Sequence, residues 1–179
     1  MDKIKMLFFE ETLKRWHFNE IVHLSGMSRE RINHYLKELT RIKFLKHIKP
    51  KGKMPYYLAN RESENFRFEK KMYGIKLLQK TGLFEYINSM PNVNTAILFG
   101  SFSRGDFNKS SDVDMFIFGN VNGFELAKFE KMIKRDIQLI AYDNIKSLKR
   151  YLDPMLIPNI FKGFNIKGSL EPFEVKINA

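Results

Sequence analysis

Apolar and polar positions alternate with two periods along this chain, and the change of period divides it. Ile4, Leu7 and Phe8 share one side of a predicted helix over 3–13, and Ile21, Val22 and Leu24 mark a second, short one over 18–24. Ser25-Gly26-Met27-Ser28 interrupts the pattern: Gly26 permits a tight turn and Ser28 suits the N-cap of the next helix. That helix, 29–40, has Ile32, Leu36 and Leu39 at i, i+4 and i+7 as its buried stripe. Arg29, Arg31, Asn33, His34 and Lys37 are left facing outward. Phe44 to Ile48 and Met54 to Leu58 then predict two short strands, joined by the basic turn Lys49-Pro50-Lys51-Gly52-Lys53.

Residues 61–90 return to helical spacing, with Phe68, Met72, Ile75 and Leu78 as the expected packing stripe and Gly74 as an expected interruption. Pro91 and Asn92-Val93-Asn94 mark the start of a second domain. There Ala96 to Phe99 reads as a buried strand, Met115 to Phe118 as another, 123–135 as an amphipathic helix and Ile137 to Ala141 as a third strand. A helix near 144–152 ends at Asp153-Pro154, and Phe173, Val175 and Ile177 alternate like a terminal strand. The expected domains are therefore 1–60, a helical connector 61–92, and 93–179, in an α+β or α/β arrangement whose second domain holds a mixed sheet flanked by helices.

Candidate chemistry gathers between the first two strands of the second domain. Strand 96–99 ends on Gly100, where backbone can approach a ligand, and free N–H groups there with the Ser101 hydroxyl suit a triphosphate. Gly100-Ser101-Phe102-Ser103-Arg104-Gly105 is followed after five residues by Ser111-Asp112-Val113-Asp114. Asp112 and Asp114 are two apart at the start of a strand, so one face carries both carboxylates. Paired oxygen ligands are what Mg²⁺ (or Mn²⁺) carrying an NTP's phosphates requires.

Charge adds a second theme. Residues 1–60 hold 13 Lys/Arg against 6 Asp/Glu, a net +7, whereas residues 94–142 hold 6 of each; the positive field belongs to the N-terminal part. From Arg41 to Lys53 there are six basic residues and no carboxylate, a stretch that repels itself unless a polyanion or salt screens it. The absence of cysteine excludes disulfides, thiolate zinc sites and a thiol nucleophile, and His17, His23, His34 and His47 lack ligand spacing. The start opens with charges, and no apolar run approaches the ~20 residues a bilayer needs, so the expectation is a cytoplasmic protein without a membrane role.

The spacing Gly-Ser-x2-Arg-Gly-x5-Ser-Asp-x-Asp, over roughly residues 93 to 142, resembles the nucleotidyltransferase superfamily of the DNA polymerase β type, most closely its small, minimal branch. The resemblance implies in-line attack of a hydroxyl on a nucleotide α-phosphate. Gly100 and Ser101 would hold the outer phosphates with Arg104 in reach of one, and Asp112 and Asp114 would hold the metal. The family has a third carboxylate on the next strand; in that register this chain has Gln138, with Asp136 two residues earlier and ~6.6 Å back along the strand. Either the strand is shifted and Asp136 serves as third catalytic carboxylate, or the domain binds nucleotide and metal with slow or no transfer. In the same way residues 1–60 look like a winged helix-turn-helix domain for duplex DNA. That resemblance assigns Arg29, Arg31, Asn33, His34 and Lys37 to the major groove and Lys49, Lys51 and Lys53 to the backbone. Two functions follow: a Mg²⁺-dependent transferase acting on a protein, nucleic-acid or small-molecule hydroxyl, or a DNA-binding, antitoxin-like regulator whose degenerate transferase domain senses nucleotide. A homodimer is compatible with both.

Overall fold

The computed structural model describes residues 3–170 and Phe173. It divides into two compact units, Met1–Lys70 and Lys71–Ala179. Among the described residues no helix is long and apolar enough to cross a membrane.

The first unit contains α1 (Lys3–Glu10), α2 (Phe18–Ser25), α3 (Arg29–Arg41), β1 (Leu45–Ile48) and β2 (Tyr56–Ala59). α1 stops at Glu10 rather than near 13 because the chain must be extended by Trp16, whose N–H and C=O bond the backbone of Tyr57 at 3.0 and 2.8 Å. Gly26 closes α2 in the left-handed conformation at φ 67°, and Ser28 caps α3 by accepting from the Arg31 N–H. Ile32, Leu36 and Leu39 face inward as their spacing predicts. β1 and β2 pair antiparallel, Leu45 with Ala59 through Ile48 with Tyr56, so 49–55 forms the loop of a hairpin. The centre is aromatic: Phe9, Phe44 and Phe66 lie with ring centroids 4.9–5.8 Å apart.

The boundary between the units falls inside α4 (Glu64–Gln79). Gly74 does not interrupt this helix. Its missing side chain makes room for Phe107, whose Cε1 would stand 2.8 Å from an added Cβ, and the break comes instead at Gly82 (φ 77°) before α5 (Leu83–Ser89). The buried positions of α4 include Phe66, Lys70, Tyr73, Ile75 and Leu78, while Phe68 is 64% exposed; a lysine inside the buried stripe disguises its phase in the sequence.

The second unit is a four-stranded mixed sheet of order β5-β4-β3-β6. β3 (Val93–Phe99) pairs antiparallel with β4 (Val113–Gly119) and with β6 (Phe164–Lys167); β4 and β5 (Ile137–Tyr142) run parallel. α6 (Gly100–Arg104) follows β3 directly, α7 (Leu126–Ile133) links β4 to β5, and α8 (Ile145–Tyr151) and α9 (Ile157–Phe161), separated by a short 3₁₀ turn, lead into β6. Alternate residues Ile97, Phe99, Phe116 and Phe118 form one core with Leu148, Leu152, Ile160 and Phe173. Ala96, Leu98, Met115 and Ile117, of opposite parity, are buried as well, so both faces of the central strands are covered. β6 lies where no strand was read: it is four residues long between Gly163 and Gly168, and both glycines press on the β3 backbone where a Cβ would collide. Of the expected terminal strand only Phe173 falls within the described residues. Its backbone there is helical, and its ring packs on Phe116 and Phe161.

Candidate active site

β4 carries Asp114, Phe116 and Phe118 on one face. Toward its start the apolar cover ends, and the half-exposed carboxylates of Asp112 and Asp114 follow the buried rings. On the neighbouring strands, register places Phe99 opposite Asp114 on one side and Gln138 opposite it on the other. The end of β3, and with it α6, is therefore the first thing Asp114 meets.

The fit there is close. Gly100 has φ 67°, and a Cβ built on it would overlap Asp114 Oδ2, so the position requires glycine both for its backbone and for the carboxylate seated against it. The Ser101 N–H bonds the same carboxylate. Burial and the adjacent Asp112 charge raise the Asp114 carboxyl above the usual aspartate range, outweighing the Ser101 N–H and the Arg104 charge, which act the other way. A carboxyl raised in this way beside a second carboxylate is a natural host for a divalent cation. Among the described residues no cluster of three His, Cys, Asp or Glu side chains could hold a metal. Two carboxylates nevertheless fit a Mg²⁺ that takes its other oxygens from substrate phosphates and water.

The other predicted residues divide. Arg104 extends from α6 and donates from Nε to Asp106 Oδ2 at 3.1 Å, an exposed ion pair. Ser103 is buried, its hydroxyl donating to the Gly100 carbonyl at 2.9 Å. Gln138 stands level with Asp114 and donates from Nε2 to Asp112 Oδ2 at 2.9 Å. The β4–β5 ladder runs without a shift, leaving Asp136 one residue before β5 with its carbonyl accepting the Val113 N–H. Asp136 is exposed and shares with Asp112 a cleft of about 430 Å³, rimmed by Lys109, Ser110, Lys131 and Lys134. This cleft lies on the β5 side of Asp112, its lining including the end of α7 and the residues that lead into β5. Sequence reading did not find Arg135, which lines it too; its Nη1 lies 2.6, 2.8 and 3.1 Å from the carbonyl oxygens of Asn108, Lys109 and Ser111. Contacts of one side chain with three backbone carbonyls leave no residue-type signal.

In the first unit Arg31, Asn33, His34 and Lys37 are exposed on α3, as are Lys49, Lys51 and Lys53 on the hairpin loop. Arg29 is engaged, donating to Asn19 Oδ1 at 3.0 Å and stacking over Phe18. Of the six basic residues from 41 to 53, Arg41 and Lys46 find carboxylates outside the stretch, Glu38 and Glu62, at 2.5 and 2.6 Å. His47 stacks on Tyr57 at 4.2 Å; burial, with Lys49 behind it, lowers its pKa from the usual histidine value.

Residues 82–166, from α5 into β6, match the family model Polymerase beta, Nucleotidyltransferase. Among solved structures the chain is similar to a toxin–antitoxin with AMP-PNP, at 23% identity over 60% of this chain and 78% of that one, with a TM-score of 0.36. It is also similar to a mutant of the toxin–antitoxin MntA-HpeT, at 20% identity over 59% and 78%, again with a TM-score of 0.36. Among curated proteins none matches.

Proposed function

We propose that the second unit transfers a nucleoside monophosphate from an NTP to an acceptor hydroxyl, with Mg²⁺ or Mn²⁺. The observation that carries this reading is the Asp114 carboxylate seated on Gly100 and the Ser101 N–H beside Asp112, inside residues that match the family model. Asp112 and Asp114 would hold the cation, which when bound supplies the positive charge that lets both carboxylates ionise beside a triphosphate. Gly100 and Ser101 bind the outer phosphates, and Arg104 reaches them by giving up its exposed pair with Asp106. The acceptor hydroxyl approaches from the β5 side, since α6 closes the other. Its oxygen bonds the α-phosphorus as the bond to the β-phosphate breaks and pyrophosphate leaves. The proton goes to Asp136 or to water.

A specific observation favours a second reading. Gln138 holds the position level with Asp114, and an amide is neither a base nor a strong ligand for a hard cation. A domain so built would bind nucleotide and metal without efficient transfer, as a sensor. In either case residues 1–60 serve as a winged helix-turn-helix for duplex DNA, with α3 in the major groove and the 49–53 turn on the backbone. Residues 61–92 connect them to a transferase domain of 93–179 that works in the cytoplasm, alone or as a homodimer, with a protein among its candidate acceptors. Calorimetry with Mg²⁺–NTP tests the common premise: binding is expected for the wild type and lost in an Asp112→Ala, Asp114→Ala double variant, whereas equal affinity would place the nucleotide elsewhere. Transfer of labelled nucleotide by the wild type, collapsing on Asp136→Asn, would exclude the sensor.

A further inference from the structure

Asp112 is the only member of the carboxylate pair outside a strand, and the turn before it, Asn108–Ser111, has no regular element to fix it. What holds that turn comes from the approach to the neighbouring strand, β5. The carbonyls of Asn108, Lys109 and Ser111 converge on the Arg135 guanidinium at 2.6, 2.8 and 3.1 Å, and Asp112 is the next residue. The turn is already closed on itself, Asn108 N–H to Ser111 Oγ at 2.9 Å and Ser110 N–H to Asn108 Oδ1 at 2.9 Å, so its carbonyls are turned together toward one cation.

The same guanidinium lies 5.3 Å over the ring of Phe102 and 5.8 Å over Phe107, and those rings stack on each other 4.3 Å apart at 9°. Phe102 belongs to α6, the element that carries Ser101. One side chain therefore touches both halves of the site: the aromatic base of α6 and the backbone leading into Asp112. Its delivery is built into the chain as well. Lys134, in the left-handed conformation at φ 55° without being glycine, ends α7 and turns Arg135 inward just before β5.

Resting on the transferase-fold reading above, we propose that Arg135 is a positioning residue, which sets the Asp112 carboxylate against Asp114 and so fixes the geometry in which the site takes metal and nucleotide. It touches neither. Lysine cannot substitute fully: an ammonium could meet the three carbonyls that Nη1 serves, but it has no planar face to lay over Phe102.

The test uses the full chain with Mn²⁺ as probe, read by electron paramagnetic resonance with and without ATP. Removal of groups that orient metal ligands costs on the order of 10–100-fold in metal affinity. Arg135→Ala is expected to lose Mn²⁺ affinity to that extent, Arg135→Lys to fall between, and added guanidinium ion to restore the alanine variant while leaving the wild type unchanged. Trypsin should also cut after Lys109 faster in Arg135→Ala. Wild-type Mn²⁺ affinity in a folded Arg135→Ala variant overturns the proposal, as does a loss that guanidinium does not restore. Should the alanine variant not fold, Arg135→Lys with wild-type affinity and wild-type cleavage at Lys109 overturns it. A wild type that binds neither Mn²⁺ nor ATP overturns the transferase reading instead. In that case unchanged cleavage at Lys109 in Arg135→Ala would separately show that no clamp exists.

Discussion

Gly100→Ala is the sharpest perturbation the site offers, because its cost divides into parts that a second glycine isolates. The first part is backbone: φ 67° in a residue with a Cβ costs about 1–2 kcal/mol. The second is the carboxylate. A Cβ at Gly100 overlaps Asp114 Oδ2, so the side chain must leave its seat and its bond from the Ser101 N–H. A charge-assisted bond contributes about 1.5–3 kcal/mol, but the displaced group regains water, and the net loss should be near ~1–2 kcal/mol. Gly82 is the control: it has φ 77° in the same unit with nothing within 4 Å of its would-be Cβ, so Gly82→Ala incurs the backbone part alone. At roughly 4–8 °C per kcal/mol for a unit of this size, Gly100→Ala should melt about 5–15 °C below Gly82→Ala by far-ultraviolet circular dichroism. Trp16, the single tryptophan and a core residue of the first unit, gives a fluorescence transition that should not follow this difference. The added cost should also shrink in an Asp114→Ala background, where nothing is left to displace. Equal melting of the two glycine variants, or a full cost without Asp114, would refute the seating of the carboxylate on Gly100.

Three further outcomes are expected. Because the Asp114 carboxyl titrates above the usual aspartate range, its protonated form is the one the metal-free fold prefers; its contribution is present at acid pH and lost as pH rises through that raised value, so Asp114→Asn should flatten this loss and raise Tm at neutral pH without metal, measured by melts across pH. A variant less stable than wild type at neutral pH would contradict this. Replacing Lys49, Lys51 and Lys53 with Ala should flatten the log–log salt dependence of duplex DNA binding by roughly 2–3 units, at ~0.9 per lost phosphate contact, and a wild-type slope near zero would instead mark a protein-binding module. Gln138→Asp should tighten Mn²⁺ binding or raise nucleotide transfer relative to wild type, and no change in either would show that the position level with Asp114 is not a ligand site.

The features legible in the sequence were those written in a local period or a local spacing. Ile32, Leu36 and Leu39 announced the inner face of α3, and the alternation through Asp112, Asp114, Phe116 and Phe118 announced both the strand and the face its carboxylates share. The place of Gln138 came from the family resemblance with the register left open, and only the unshifted β4–β5 ladder sets it opposite Asp114. What stayed hidden depends on contacts between distant residues. α1 ends early because Trp16 must reach Tyr57, 41 positions on, and Gly74 is tolerated inside α4 because Phe107 fills the space beside it. β6 has only four residues, and its place is set by Gly163 and Gly168 lying against β3, so no alternation was long enough to read. Charge counting along the chain also misjudged the segment 41–53: Glu38 and Glu62 neutralise two of its six cations from outside.

If the site takes a cation as proposed, Gln138 and Asp114 together would explain how it is built for a charge that the metal-free protein does without. A third carboxylate level with Asp114 would add like-charge repulsion to a pair in which Asp114 already resists ionisation, and every such charge destabilises the metal-free fold. Gln138 replaces that repulsion with an N–H donated to Asp112, which holds the carboxylate in place whether or not a cation is present. On the proposed reading the same exchange would weaken the pull on a second cation and take a base from the acceptor side, so that stability without metal would come at the expense of catalytic power. Asp136, exposed at the mouth of the β5-side cleft and level with Asp112, can supply a base without crowding Asp114, since it stands one step outside the strand pair rather than within it. Transfer by such a site would therefore depend on Asp136 and be slow, and a site that also lost Asp136 would retain nucleotide binding through Gly100, Ser101, Asp112 and Asp114 alone.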